Sequence, residues 1–283
     1  VAHVIEIEDP DDGRLADFRD LSTADRRPDR PGGRGLVIAE GVVVVRRLLA
    51  SPYPVRGLLG VRRRIDDLLP ELAGLAVPAY VASAEVMAEV VGFHLNRGVL
   101  AAADRAPQPT VDALAAGAHR LAVLEGVGDH ENLGALFRNA AAFGIDGVLL
   151  GAGCADPLYR RSVRVSMGHV LRVPFRTLDA WPEGLDGLRR HGFRVVALTP
   201  RRSAIPLAEL PGAERRLALL FGSEGPGLSE AAIAAADVTA RIPMTGDVDS
   251  LNVATAAAVA FYAVAPPRSA APQREVRATF TVT

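Results

Sequence analysis

Residues 121–150, LAVLEGVGDHENLGALFRNAAAFGIDGVLL, place two continuous apolar runs on either side of a loop and a helix. A run without polar alternation fits a strand buried on both faces, which a parallel sheet with helices on each side provides. The same pattern recurs towards the C-terminus. Strands are predicted at Leu121–Glu125, Gly147–Leu150, Phe193–Leu198, Leu217–Phe221 and Val238–Ile242, with amphipathic helices between most of them and a last helix from about Asn252 to Val264. The predicted fold class is α/β.

Leu36 to Ala103 alternates in the same way on a smaller scale. VVVVRRLLA after Glu40 is predicted helical, VRGLLGV a strand, IDDLLPELA a helix, PAYVA a strand, AEVMAEVVGF a helix and GVLAAA a strand. Such alternation describes a compact α/β unit. DRRPDRPGGRG before it reads as a loop, and DRAPQPTVDALAAGAHR after it as a linker running into a helix start near Thr110. The chain of 283 residues is thus divided into a small unit (1–106), a linker (107–119), a larger unit (120–265) and a polar tail (266–283), whose FTVT could extend a sheet edge.

The net charge is −1, so no global field for nucleic acid exists. All 32 basic residues are nevertheless Arg, and each is a planar fork suited to phosphate. Two local clusters stand out, Arg62–Arg63–Arg64 and Arg160, Arg161 and Arg164. A single cysteine, Cys154, excludes an internal disulfide framework. VAHVIEIEDPDD lacks the basic start and apolar core of a signal peptide, and no apolar run is long enough for a bilayer. A cytoplasmic location without a membrane partner is expected.

Familiar cofactor motifs fail. After Gly126-Val127-Gly128 the third glycine of a dinucleotide fingerprint falls on Glu131, and the next strand ends in Leu149-Leu150-Gly151 without an acid. A phosphate-binding P-loop needs a lysine. The six histidines are scattered, so no metal site is expected. What remains is a set of small polar residues at the C-terminal ends of strands, where ligands bind in open α/β sheets. Asn132 and Arg138, six positions apart, point about 120° from one another on a regular helix. Arg138 is flanked by Gly134, Ala135, Ala141 and Ala142, which leave room for a substrate or a second subunit. Gly222-Ser223-Glu224-Gly225-Pro226-Gly227 follows a buried strand and wraps three glycines around one carboxylate. Ser250 is the expected N-cap of the Ala-rich helix that follows. Taken singly, each feature also fits an ordinary turn, cap or solvated side chain.

Taken together, ENLGALFRNAAAFG, LLFGSEGPGLS and IPMTGDVDSLNVATAAA resemble the three ordered motifs of the SpoU (TrmH) family of SPOUT-class RNA ribose 2′-O-methyltransferases. RSVRVSMGHVLRVPF resembles the family's middle segment, and Leu36–Ala103 its L30e-like substrate-binding domain. The family often carries His-Gln-Gly before that domain's last strand, where this chain has His94-Leu95-Asn96-Arg97-Gly98. The resemblance implies a C-terminal trefoil knot and an obligate homodimer. It also implies S-adenosyl-L-methionine held by the backbone around Thr199, Gly222, Ile242 and Leu251. The catalytic set carried over is Asn132, Arg138, Glu224, Ser250 and Asn252, and the substrate is a structured rRNA or tRNA. A non-catalytic RNA-binding knot protein is the alternative.

Overall fold

The computed structural model describes residues 3–21, 35–210, 215–245 and 250–265. Most of the predicted DRRPDRPGGRG loop and the tail with its FTVT lie outside them. So does part of the path between Ile242 and Ser250 on which the implied knot depends.

The first sheet has the order β1-β4-β3-β5-β2. Its strands are β1 (His3–Glu6), β2 (Val37–Glu40), β3 (Val55–Gly60), β4 (Pro78–Val81) and β5 (Val99–Ala103). β1, β4 and β3 run parallel, whereas β5 is antiparallel to both β3 and β2. Helices α1 (Val42–Leu49), α2 (Arg62–Asp66), α3 (Leu69–Leu72) and α4 (Ala84–Val91) connect them. Two expectations change. IDDLLPELA forms two short helices, because Pro70 near the start of α3 has no N–H to donate into a continuing helix. β1 was not foreseen; it adds to the edge at β4 by backbone pairing, with its residues mostly exposed.

The second sheet has seven strands in the order β10-β12-β9-β11-β6-β7-β8, and every pair is parallel. The strands are β6 (Arg120–Leu124), β7 (Gly147–Leu150), β8 (Phe175–Thr177), β9 (Arg194–Leu198), β10 (Ile205–Pro206), β11 (Leu217–Phe221) and β12 (Val238–Arg241). The helices are α5 (Val111–Gly117), α6 (His130–Phe143), α7 (Arg160–Val165), α8 (Leu185–Arg190), α9 (Glu230–Ala234) and α10 (Val253–Val264). β8 and β10 escaped prediction because three and two residues carry no period to read. The stretch 107–119 holds α5, capped by Thr110 and packed into the second unit's core through Leu114 and Ala115.

Why the strands are apolar throughout is visible in how they divide. Leu121, Val123, Ala218, Leu220, Val195 and Ala197 join one core; Ala122, Leu124, Leu217, Leu219 and Val196 join the other. Alternate residues therefore face opposite helical layers. The second of those cores continues into the first sheet through Val37, Ala39, Val99 and Ala101, so the two units share apolar packing.

Helix α6 starts at a strong cap. The Asp129 carboxylate accepts from the N–H of Glu131 at 2.7 Å and of Asn132 at 2.9 Å. The Asn132 N–H bond is the main reason its pKa lies below the ordinary 3.8. A folded pKa below the unfolded one gives stability that is present above the unfolded value and lost as pH falls through the folded one. Asp129→Asn retains a cap without the charge. Urea unfolding should show wild type ahead near neutral pH, with the gap closing as the medium is acidified towards pH ~3. A gap independent of pH would contradict this account of the cap.

Candidate active site

In the second sheet the strand order turns back on itself. The chain lays β6, β7 and β8 in one direction, crosses to β9, and inserts β11 between β9 and β6. Such a reversal opens a crevice at the C-terminal ends of the strands. A cavity of about 600 Å³ lies there, within the range of small-molecule sites. Thr199 follows β9, Gly222 follows β11, Ile242 follows β12 and Leu251 precedes α10. All four of these sequence-predicted residues line the cavity, together with Glu224, Ser250 and Asn252. Leu198, Phe221 and Val253 supply apolar wall. Leu251 is 36% exposed although it is a large apolar residue.

The loop after β11 folds back tightly, with an isolated bridge between Ser223 and Gly227. A Cβ at Gly222 would lie 2.1 Å from the Gly227 carbonyl carbon and 2.2 Å from the Leu228 nitrogen, so only glycine permits the closure. Glu125, at the end of β6, holds the far side of the loop. Its carboxylate accepts from the Ser229 N–H at 2.8 Å, the Ser229 hydroxyl at 2.7 Å and the Trp181 indole N–H at 2.5 Å. Sequence reading passed over Glu125. Its signal was present: a carboxylate closing an apolar strand, at the edge where the crevice opens.

At the rim, Asn252 connects three segments. Its Oδ1 accepts from the N–H of Ala254 at 3.0 Å and of Thr255 at 3.1 Å, which caps α10. The expected cap, Ser250, lies two residues too early, and it contributes to the cavity lining instead. Capping fixes which end of the amide is oxygen, so Nδ2 points away from the helix and donates both hydrogens. One goes to Asn132 Oδ1 at 2.7 Å and the other to Glu224 Oε1 at 2.5 Å. Asn252 thus has little left to offer a substrate. Asn132 retains its NH2 and Glu224 its second oxygen, neither with a hydrogen-bond partner among the described residues.

Arg138 is not in this group. It is exposed and does not line the cavity, and its charge acts on Arg47 and His169 instead. Six residues along a helix separate it from Asn132 by ~9 Å of rise and a turn of about 120°. One of its small neighbours is also occupied: a Cβ on Gly134 would meet the Ser162 carbonyl of α7 at 2.8 Å. The room expected beside Arg138 is therefore filled on that side by the protein. The two arginine clusters are largely engaged as well. Arg62 pairs with Glu6, Arg64 with Asp67, Arg160 and Arg164 with Glu40, and Arg161 with Glu131. Among the described residues, no group of three or more His, Cys, Asp and Glu side chains could hold a metal, and no helix is long and apolar enough to cross a membrane.

The glycine requirement is testable by contrast. Gly222→Ala should lower stability by ~1–3 kcal/mol or more through backbone overlap. Gly117→Ala, where a Cβ meets nothing within 4 Å, should be neutral or gain up to ~1 kcal/mol from helix propensity. Equal urea midpoints for the two variants would contradict the loop geometry.

Comparison with known proteins agrees with the fold. The family model described as the SpoU rRNA Methylase family matches residues 119–262. A Mycobacterium tuberculosis protein named as an uncharacterized tRNA/rRNA methyltransferase is 58% identical, over 92% of this chain and 91% of its own length. The 23S rRNA (guanosine(2553)-2′-O)-methyltransferase of Bacillus subtilis is 28% identical, over 91% of this chain and 98% of its own. The crystal structure of AdoMet-bound rRNA methyltransferase from Sinorhizobium meliloti superposes with a TM-score of 0.75 at 23% identity, covering 92% of this chain and 97% of that one, and shows the fold. The chain belongs to the SpoU rRNA methylase family and is an RNA methyltransferase with the SPOUT fold.

Proposed function

We propose that the protein transfers a methyl group from S-adenosyl-L-methionine to a ribose 2′-hydroxyl in a structured rRNA or tRNA. The observation that carries this reading is the Asn252 amide, which binds Glu224 and Asn132 at the rim of the cavity. The relative from Bacillus subtilis bears a 2′-O-methyltransferase name, and the Sinorhizobium meliloti structure contains AdoMet. The cavity fits such a cofactor in size and in its mixture of polar and apolar lining. Thr199, Gly222, Ile242 and Leu251 would hold it, and its contribution is an electrophilic methyl on a sulfonium.

The protein must align the 2′-oxygen with that methyl and stabilise the oxygen as its proton departs. As the O–C bond forms, the C–S bond breaks, and its electron pair stays on sulfur. Holding both partners in one geometry accounts for much of the acceleration such a site can give. Asn252 acts as a positioning residue, because its own polar atoms are engaged. The free oxygen of Glu224 and the NH2 of Asn132 are the groups available to the ribose. Ser250 shapes the cofactor side of the rim. Arg138 serves as a planar guanidinium fork, binding phosphate and stabilising developing alkoxide charge.

Because Arg138 stands apart from the other four residues of its own chain, it is assigned to the site of a second copy. The face of α10 favours a homodimer: the helix carries no charged residue, and Val259 and Tyr262 are 41% and 74% exposed. A helix apolar on all sides is normally buried. In this reading residues 1–106 include the L30e-like RNA-docking unit, 107–119 the linker, 120–265 the methyltransferase unit and 266–283 a tail. RNA as substrate and the lone Cys154 favour the cytoplasm.

Mixed dimers test both site and assembly. Arg138→Ala and Glu224→Ala chains should each be inactive in methyl transfer to RNA. Combined, they should recover roughly a quarter of wild-type activity, since random pairing makes half the dimers mixed, each with one complete site. No recovery in any mixture, with dimers intact, would place Arg138 in the site of its own chain.

A further inference from the structure

Among the described residues most arginines bind carboxylates or backbone carbonyls, but one group does not pair with acids. Arg47 on α1, Arg138 on α6 and Arg172 just after the 3-10 turn His169–Leu171 form no ion pair among the described residues. Arg47 donates to the Met167 carbonyl and lies over Gly168, whose absent Cβ would sit 3.3 Å from Arg47 Cβ. Met167 and Gly168 have φ of +54° and +81°, two consecutive left-handed residues. A non-glycine residue is rarely held there without some compensating contact, and the Arg47 bond provides one. The result of the strained turn is that His169 and Arg172 are delivered beside Arg47.

These cations act on one another. Helices α1 and α6 both pack against the turn that carries His169 and leads to Arg172. The charge on Arg47 is disfavoured by burial first and then by Arg172 and Arg138. His169 is drawn down to about 4 by burial first and then by Arg47, Arg172 and Arg138, so its ring is neutral at physiological pH. Three repelling guanidiniums with no ion-pair partner among the described residues make a site for an external anion. The site spans both sheet units, since α1 belongs to the first and α6 and the turn to the second. A groove of about 320 Å³ opens beside it, lined by Pro52, Tyr53, Gln108 and Arg172 among others.

We propose that Arg47, Arg138 and Arg172 together seat one backbone phosphate of the RNA substrate, fixing the strand across the junction of the two units. This rests on the RNA methyltransferase reading and adds two binding residues outside the three ordered motifs: Arg47 in the first unit and Arg172 in the middle segment RSVRVSMGHVLRVPF. Arginine forks suit the task, as each can donate two parallel hydrogen bonds to phosphate oxygens. Arg138 then meets the phosphate and the target ribose together.

The Arg172 side chain is exposed and makes no hydrogen bond among the described residues, and its backbone N–H bond to the His169 carbonyl does not depend on side-chain identity, so Arg172→Glu should fold normally. With a transcript of 23S rRNA as probe, this variant should bind more weakly, and the slope of log affinity against log salt should fall by about 1. Calorimetric affinity for S-adenosyl-L-methionine should be unchanged. Separately, inorganic phosphate added at pH ~6 should move the His169 ring resonances towards the protonated form, because an anion offsets the three arginines; Arg172→Glu should abolish that movement. Unchanged salt slopes in Arg172→Glu and Arg47→Ala, with His169 indifferent to phosphate, would overturn the seat even if the enzyme methylates RNA normally. Wild-type protein that showed the seat behaviour but methylated no RNA would instead sink the methyltransferase reading alone.

Discussion

The side-chain amide of Asn252 is a junction between parts of the chain that are far apart in sequence. Its oxygen begins α10, and its nitrogen holds Glu224 in the glycine loop and Asn132 in the first turn of α6. A side chain with every polar atom engaged by protein is a poor substrate ligand and a good strut. If the amide were lost, α10 would lose its cap, and Glu224 and Asn132 would lose their common reference. The geometry of the rim therefore depends on a residue that need not touch the reacting atoms.

The rest of the architecture serves that junction. Burial on both faces fixes β6, β9 and β11 in register, and inserting β11 between the other two opens the crevice. Gly222 lets the loop close on itself, and Glu125 ties its far end to the end of β6. Asp129 sets where α6 begins, so that Asn132 arrives within one turn of the helix start. Neither Glu125 nor Asp129 need touch a ligand, yet each sets a distance that the chemistry needs.

Much of this was legible in the sequence. Continuous apolar runs identified the five longest strands of the second sheet, and helical period identified α6 and α10. The angular separation of Asn132 and Arg138 already implied that they act from different directions. Other features were not legible. β8 and β10 are too short to carry a period, and β1 gains its structure from pairing with β4 across more than seventy residues. Ser250 and Asn252 are both good caps, and only the path of the chain selects Asn252. The engagement of Arg160, Arg161 and Arg164 with Glu40 and Glu131 depends on tertiary contacts, as does the gathering of Arg47 with Arg172.

The central claim is that the cavity and its Asn252 rim direct methyl transfer to a ribose oxygen. Purified protein, S-adenosyl-L-methionine carrying an isotope in its methyl group, and RNA isolated from cells lacking this protein are sufficient to decide it. Nuclease digestion followed by mass spectrometry should place the label on the sugar of a single nucleoside, at a linkage resistant to alkali. Label on a base, or label distributed over many nucleosides, would contradict the assignment.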